Sequence, residues 1–121
     1  MKKGILVLAH GSRAKSTEDT VAAIVEILKQ DLTDSEIDYA FMEFSNKSIP
    51  ASLDAMAAKG ISEIVAVPYF LFDGIHIRED IPEAIAKYCA AHPDIRITLG
   101  QSLGVDYRLA AVLADRIRAA I

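Results

Sequence analysis

Gly4-Ile5-Leu6-Val7-Leu8-Ala9-His10-Gly11-Ser12-Arg13 is the stretch of this sequence that decides the fold. A second apolar run, Ile64-Val65-Ala66-Val67-Pro68, is followed by an aromatic segment and then by His76. Continuous runs of Ile, Val and Leu are typical of parallel strands that are buried on both faces. In an open parallel sheet, ligands bind beyond the carboxyl ends of the strands, where the strand order reverses. The sequence therefore predicts that both histidines lie at a ligand-binding edge.

The rest of the chain repeats the same alternation of strand and helix four times. Strands are predicted over Gly4–Ala9, Glu36–Met42, Glu63–Pro68 and Ile95–Leu99. Helices are predicted over Thr17–Leu32 and Ile49–Lys59, from Asp80 to the residue before Pro93, and from Val105 or Asp106 to the end. Such a pattern, with short right-handed connections, is typical of a parallel α/β sheet with helices on both faces. We expect one domain over residues 1–121.

The second strand differs from the others because its apolar residues alternate with polar ones. Ile37, Tyr39 and Phe41 alternate with Glu36, Asp38 and Ala40. Period-2 alternation indicates a half-exposed strand, which belongs at a sheet edge. The predicted strand order is therefore 2-1-3-4, and the switch point falls between strands one and three.

Capping residues and apolar stripes locate the helices more closely. Ser16 and Ser48 are expected to cap the first and second helices, and Gly60 is expected at the end of the second. Asp80 is expected to cap the third helix, with Pro82 in its first turn. The last helix is predicted to turn four apolar residues inward, namely Leu109, Val112, Leu113 and Ile117.

Composition excludes several classes of protein. The 121 residues include 13 Lys and Arg against 17 Asp and Glu, a net charge of -4, which argues against a nucleic-acid-binding protein. The single Cys89 excludes an intrachain disulfide and suits a reducing cytosol. The apolar run before His10 is too short for a signal peptide or a membrane span. We expect a cytoplasmic protein with no membrane partner.

The two histidines offer metal-binding chemistry. His10 directly follows the first strand, and His76 lies in the longest predicted connection, Tyr69–Glu79; long connections are often functional. Imidazole binds borderline divalent metals, but two histidines are too few for a closed structural zinc site. This pattern predicts a metal that is held briefly and handed on, with Glu43 as the third candidate, either as ligand or as proton acceptor. His92 is expected to be a solvated loop residue at the opposite end of the sheet.

The segment before His76 is rich in aromatic side chains, including Phe70 and Phe72. Some of them are expected in the core, and a flat hydrophobic ligand or a dimer partner accounts for the rest. Arg13, Lys47 and Arg78 are expected at or near the same edge, where basic side chains can bind carboxylates of a ligand.

Three segments resemble the class II tetrapyrrole chelatase family, specifically its short, single-domain CbiX type. They are Leu8–Arg13, the segment from Pro68 to Pro82 that contains Phe-Asp-Gly-Ile-His-Ile-Arg-Glu-Asp-Ile-Pro, and Leu99-Gly100-Gln101-Ser102-Leu103-Gly104. The resemblance extends over the whole chain. It implies a sirohydrochlorin cobaltochelatase of cobalamin biosynthesis, in which His10 and His76 bind the metal and assist removal of the pyrrole protons.

The same resemblance implies the remaining parts of the site. Glu43 is the candidate for the acidic helper, and Arg13, Phe70, Phe72 and Arg78 are candidates for contact with the tetrapyrrole. Longer relatives have two such domains, so a homodimer is implied here. The metal is a substrate, with Co²⁺ expected and Ni²⁺ or Fe²⁺ left open. No ATP is expected, because the chain has no Gly-x-x-x-x-Gly-Lys loop.

Two other functions use the same residues. Phosphohistidine mutases and phosphatases also place a histidine and a glycine after the first strand, but they need an arginine directly before that histidine, and here this position is Ala9. A non-catalytic carrier of metal or tetrapyrrole would use both histidines, and only turnover separates it from a chelatase.

Overall fold

A computed structural model describes residues 3–121, except for the side chain of His76. Strands and helices alternate along the chain as β1 (Lys3–Ala9), α1 (Lys15–Asp31), β2 (Ser35–Phe41), α2 (Ile49–Ala58), β3 (Glu63–Pro68), α3 (Ile75–Ala91), β4 (Arg96–Leu99) and α4 (Tyr107–Ala120). The strands form one sheet in the order β2-β1-β3-β4, and every pairing is parallel. The predicted order and strand direction are confirmed. No helix of the described residues is both long and apolar enough to span a membrane.

The core has two layers, one on each face of the sheet. Successive residues of a strand point to opposite faces, so Leu6 and Leu8 pack with α2 and α3, whereas Val7 and Ala9 pack with α1. The predicted arrangement of helices on both faces is therefore confirmed for these three helices. Leu6 and Leu8 are fully buried, so packing in the core fixes the position of the carboxyl end of β1.

The first two helices begin differently from one another. Ser48 caps α2 as predicted, because its side chain accepts a hydrogen bond from Ala51 N. The expectation that Ser16 caps α1 is wrong: α1 begins at Lys15, and its N-cap is Ala14, which has no side-chain cap. Instead, the Ser12 hydroxyl accepts a 3.1 Å hydrogen bond from Ala14 N. This hydrogen bond forms a turn over Ser12–Ala14, and α1 begins directly after it at Lys15. Ser16 is therefore the second residue of the helix and not its cap.

The third helix begins earlier than the sequence indicated. It starts at Ile75 after the N-cap Gly74, so Pro82 lies inside the helix rather than in its first turn. Proline removes one hydrogen bond and costs about 3 kcal/mol in a helix interior. Burial offsets part of this cost, because Ile77 and Ile81, one turn apart, both pack into the core. The expected Tyr69–Glu79 loop therefore ends at Gly74, and the backbone of His76 lies in the first turn of α3.

The last helix differs most from the expectation. Its N-cap is Asp106, whose carboxylate accepts a hydrogen bond from Arg108 N, in agreement with the predicted start. However, no residue of α4 is buried, and Val112, Leu113 and Ile117 are exposed. The prediction that this apolar face turns inward is wrong, because within the described residues α4 is in substantial contact with no strand of the sheet.

Candidate functional site

The carboxyl end of β1 presents His10 at the edge of the sheet. His10 is the first residue beyond the strand, and its side chain is 61% exposed. On the β3 side, Tyr69 N donates a 2.6 Å hydrogen bond to Leu8 O, which continues the sheet to this edge. The ring of Phe70, just beyond β3, meets the imidazole edge-on with 6.4 Å between centroids. His10 and Phe70 therefore flank the point at which the strand order reverses.

Glu43 comes to the same edge from β2. Its Oε1 lies 3.0 Å from His10 Nε2, and its side chain is 47% exposed. Glu43 N also donates a 3.2 Å hydrogen bond to His10 O, so backbone pairing carries both residues to one place. An ionised carboxylate only accepts hydrogen bonds, so the proton of the pair lies on Nε2. In the neutral ring with this tautomer, the lone pair lies on Nδ1, which can bind a metal ion or a proton.

Two residues with positive φ shape the turns around this pair. Gly11 has φ +94°, and a Cβ at this position would overlap the carbonyl oxygen of Glu43. Phe44 has φ 61° although it is not a glycine. Its ring lies 5.1 Å from the Arg13 guanidinium carbon, a distance at which cation–π attraction is effective. Sequence reasoning missed Phe44, because a single aromatic residue in a polar loop carries no periodic signal.

The candidate contacts for a ligand do not share one cavity. Arg13 lines a cavity of about 250 Å³ beside the start of α1. Arg78 lines another, of about 540 Å³, between α3 and the segment after β4. Phe72 lines a third, of about 840 Å³, beside α4. The structure thus brings Phe70 to His10, and it distributes the other three candidates around the edge.

The position of His76 follows from the start of α3. Its backbone is the second residue of that helix, beyond β3, and its side chain lies outside the described residues. Among the side chains that are described, no group of three or more His, Cys, Asp or Glu residues is close enough to hold a metal ion. The described part of the site is the His10–Glu43 pair.

His92 lies at the other end of the sheet, where it is exposed as predicted and also contacts the end of α3. It is the C-cap of α3, and its ring stacks on Tyr88 with 4.0 Å between centroids. Tyr88 donates a 2.7 Å hydrogen bond to Asp54. Burial, together with this hydrogen bond, raises the pKa of Tyr88 to about 12. These contacts give His92 a structural role at the end of the helix.

The chain is similar to known proteins both as a member of a family and in its individual sequence. The family model described as CbiX matches residues 4–120. The chain is 31% identical to the sirohydrochlorin cobaltochelatase of Methanothermobacter thermautotrophicus, over 99% of this chain and 94% of that protein. It is 30% identical to the sirohydrochlorin ferrochelatase of Bacillus subtilis, over 98% of this chain and 45% of that protein. The chain therefore spans less than half of this Bacillus relative.

Solved structures show the same fold. A protein from Marinobacter aquaeolei VT8, described as a putative cobalamin biosynthesis CbiX protein, superposes with a TM-score of 0.80 at 27% identity, over 98% of this chain and 96% of that chain. The sirohydrochlorin chelatase SirB from Bacillus subtilis subspecies spizizenii, in complex with cobalt, gives a TM-score of 0.90 at 31% identity, over 98% of this chain and 51% of that chain. The similarity thus covers nearly the whole of this chain, both with a protein of about the same length and with one of about twice the length.

Proposed function

Since the chain belongs to the CbiX family of metal chelatases, we propose that it inserts Co²⁺ into a sirohydrochlorin-type tetrapyrrole without ATP, in cobalamin biosynthesis. The observation that carries this proposal is the exposed His10, paired with Glu43 at the switch point of the sheet. This pair offers a metal-binding nitrogen and a proton acceptor at the place where open parallel sheets bind their ligands.

Metal insertion requires two changes that these residues can support. The macrocycle loses two pyrrolic protons, and the metal ion exchanges bound water for ring nitrogens. In our proposal, the free Nδ1 of His10 replaces a water on the incoming metal, while Glu43 orients the ring through Nε2–H; a carboxylate behind a metal-binding histidine commonly has this role. Glu43 is also our candidate to receive one pyrrole proton, and the other passes to a histidine nitrogen that the metal ion has left. His76 is proposed as the second metal-binding histidine.

The proposed substrate is large, flat and carries carboxylates. We propose that Phe70 and Phe72 contact its apolar face and that Arg13 and Arg78 bind its carboxylates. One sheet edge is too shallow to enclose such a ring, whereas a ligand pocket normally buries most of its ligand. We therefore propose a homodimer in which two edges form the cleft. A cytoplasmic location is part of the proposal, in keeping with the free thiol of Cys89.

Fe²⁺ is the second candidate for the metal that is inserted. It is favoured by the 30% identity to the Bacillus ferrochelatase, which is similar in strength to that with the archaeal cobaltochelatase. Ni²⁺ is a third candidate, because imidazole ligands accept it as well as Co²⁺. A carrier that binds metal or tetrapyrrole without turnover is the alternative outside enzymes.

The experiment is an anaerobic assay of the purified protein with sirohydrochlorin and Co²⁺, Ni²⁺ or Fe²⁺ in parallel, followed by the absorbance of the macrocycle. We expect many turnovers per protein, fastest with Co²⁺. Faster insertion of Fe²⁺ or Ni²⁺ would overturn the choice of metal and keep the chelatase. A single stoichiometric binding event with every metal would indicate a carrier instead.

A further inference from the structure

We propose that Asp73 and Ser102 are positioning residues for His76, because the hydrogen bond between their side chains fixes the chain just before α3 begins. The Ser102 hydroxyl donates this bond to Asp73 Oδ1 over 2.7 Å, and it joins two residues that lie 29 positions apart in the sequence. The inference rests on the proposed function, in which His76 is the second metal-binding histidine. It adds how the chain holds the backbone of that histidine in place.

The start of α3 receives little support from the helix itself. Its N-cap is Gly74, which has no side chain to accept hydrogen bonds from the first turn. The first helical residue, Ile75, is 72% exposed, so burial does not hold it, and packing against the core begins at Ile77. The backbone of His76 lies between these two residues. Its position therefore depends on the chain that precedes the helix.

The segment after β4, residues 100–104, is fixed firmly enough to support that chain. Three of its backbone N–H groups donate hydrogen bonds to β3 or to the residues just beyond β3. These bonds are 2.7 Å from Gly100 N to Ala66 O, 2.9 Å from Leu103 N to Phe70 O and 2.9 Å from Gly104 N to Leu71 O. Because both ends of the segment are bonded, Ser102 between them has a defined position.

The bond from Ser102 extends this support to the last residue before the N-cap. The backbone bonds from residues 100–104 reach no further than Leu71, and in the described part of the chain no other hydrogen bond reaches Phe72 or Asp73. Without the Asp73–Ser102 bond, residues 72–74 gain conformational freedom, which costs free energy each time a metal ion must be bound in one geometry. The bond therefore favours metal binding through the helix start.

A direct role of Asp73 is the alternative that the experiment must separate. Asp73 lies three residues before His76, and an ionised carboxylate can bind a metal ion or accept a proton. A direct role does not require Ser102, whereas positioning requires both members of the hydrogen bond. The two roles therefore differ in what the loss of Ser102 does.

Ser102→Ala, Asp73→Ala and the double variant test the positioning. We expect each single variant to lower kcat for metal insertion about tenfold, at the lower end of the range for residues that orient metal ligands, with KM for sirohydrochlorin unchanged. The double variant should lose no more than either single one, because each change removes the same bond. A loss with Asp73→Ala but none with Ser102→Ala would overturn the proposal, since Asp73 would then act directly.

Asp73→Asn separates the hydrogen bond from the charge. Asparagine keeps a side-chain oxygen that can accept the bond from Ser102, so we expect this variant to retain most of the activity. A carboxylate near the start of a helix also interacts with the positive end of the helix dipole. A tenfold loss with Asp73→Asn would assign the effect to this charge and overturn the role of the bond.

Lys59→Met is the matched control. Lys59 donates an exposed 2.6 Å hydrogen bond to Glu36, which also joins distant parts of the chain but lies at the amino end of the sheet. We expect wild-type insertion from this variant and a change in melting temperature similar to that of Ser102→Ala. An equal loss of insertion in Lys59→Met would mean that general loosening explains the result, and the positioning would be wrong.

Binding of Co²⁺ alone, titrated without tetrapyrrole, gives a readout that does not depend on insertion. We expect Ser102→Ala to raise the dissociation constant about tenfold, and to have no further effect when His76→Ala is already present. Wild-type affinity in Ser102→Ala, or in His76→Ala, would overturn the positioning. A wild-type protein that shows the expected pattern of Co²⁺ binding without inserting the metal would overturn the chelatase and leave the positioning standing.

Discussion

At the scale of single residues, the candidate site depends on how β1 and β2 continue beyond their ends. Ala9 pairs with Phe41 at the end of the ladder, and Met42 N then donates a 3.0 Å hydrogen bond to Ala9 O. The bond from Glu43 N to His10 O extends the pairing one step further. A shift of one residue would turn the side chains to the other face, so this register is what brings the imidazole and the carboxylate together.

Replacement of either proposed metal-binding histidine tests the site directly. We expect His10→Ala and His76→Ala each to lower metal insertion by about 100-fold or more, the range typical of lost acid–base groups. For His10→Ala we expect the fold to remain, because the side chain is exposed and its truncation leaves no core cavity. Turnover and circular dichroism measure the two effects. His92→Ala is the control, and near wild-type turnover in either folded variant would contradict the assignment.

Gly11 directly follows His10, and its backbone conformation affects both stability and the candidate site. Its φ of +94° and the absence of space beside the Glu43 carbonyl predict that Gly11→Ala lowers the free energy of unfolding by about 1–3 kcal/mol. We also expect slower metal insertion, since the same turn carries His10. Urea denaturation measures the loss. Gly60→Ala is the matched control, because Gly60 also has a positive φ (+83°) but a Cβ there meets nothing within 4 Å; equal stability of the two variants would refute the clash with the Glu43 carbonyl.

At the scale of elements, Ser16 and Ser48 were both predicted to cap a helix, but only Ser48 forms the capping hydrogen bond. Ser48 accepts a 3.3 Å hydrogen bond from Ala51 N, so we expect Ser48→Ala to lower the free energy of unfolding by about 1 kcal/mol. Ser16 lies exposed inside α1, and Ser16→Ala should leave stability within about 0.5 kcal/mol. Thermal and urea denaturation of both variants measure this difference. A larger loss at Ser16 would mean that it caps the helix after all.

The starts of the helices show the limit of local signals. Both serines precede or begin an apolar helical pattern, yet only one of them caps a helix, because Ser12 closes the turn before α1. Likewise, Pro82 is typical of a first turn, whereas burial of Ile77 and Ile81 extends α3 upstream of it. Packing against the sheet outweighed the local preference in α3.

At the scale of the whole molecule, stability is expected to depend on protein concentration. A homodimer unfolds to separate chains, so mass action raises its melting temperature as concentration increases. Each tenfold increase favours the dimer by about 1.4 kcal/mol. We expect calorimetry to show this rise for the wild-type protein. A wild-type melting temperature that stays constant over a hundredfold range would argue against the dimer.

Hydrophobic patterning along the chain was enough to predict the sheet. The unbroken apolar runs of β1 and β3 indicated buried parallel strands, and the alternation in Glu36–Met42 indicated an edge, so the order 2-1-3-4 could be deduced. The same patterns placed His10 at the carboxyl end of β1. Strand burial and strand order can be predicted from sequence, because burial of one or both faces of a strand determines which consecutive residues are apolar.

Only the tertiary structure decided the contacts between residues far apart in the chain. The His10–Glu43 pair depends on strand register, which no short segment specifies. The apolar face of α4 was visible in the sequence, but the sequence could not show what covers it. An amphipathic helix requires burial but does not identify its partner, and here Val112, Leu113 and Ile117 stay exposed.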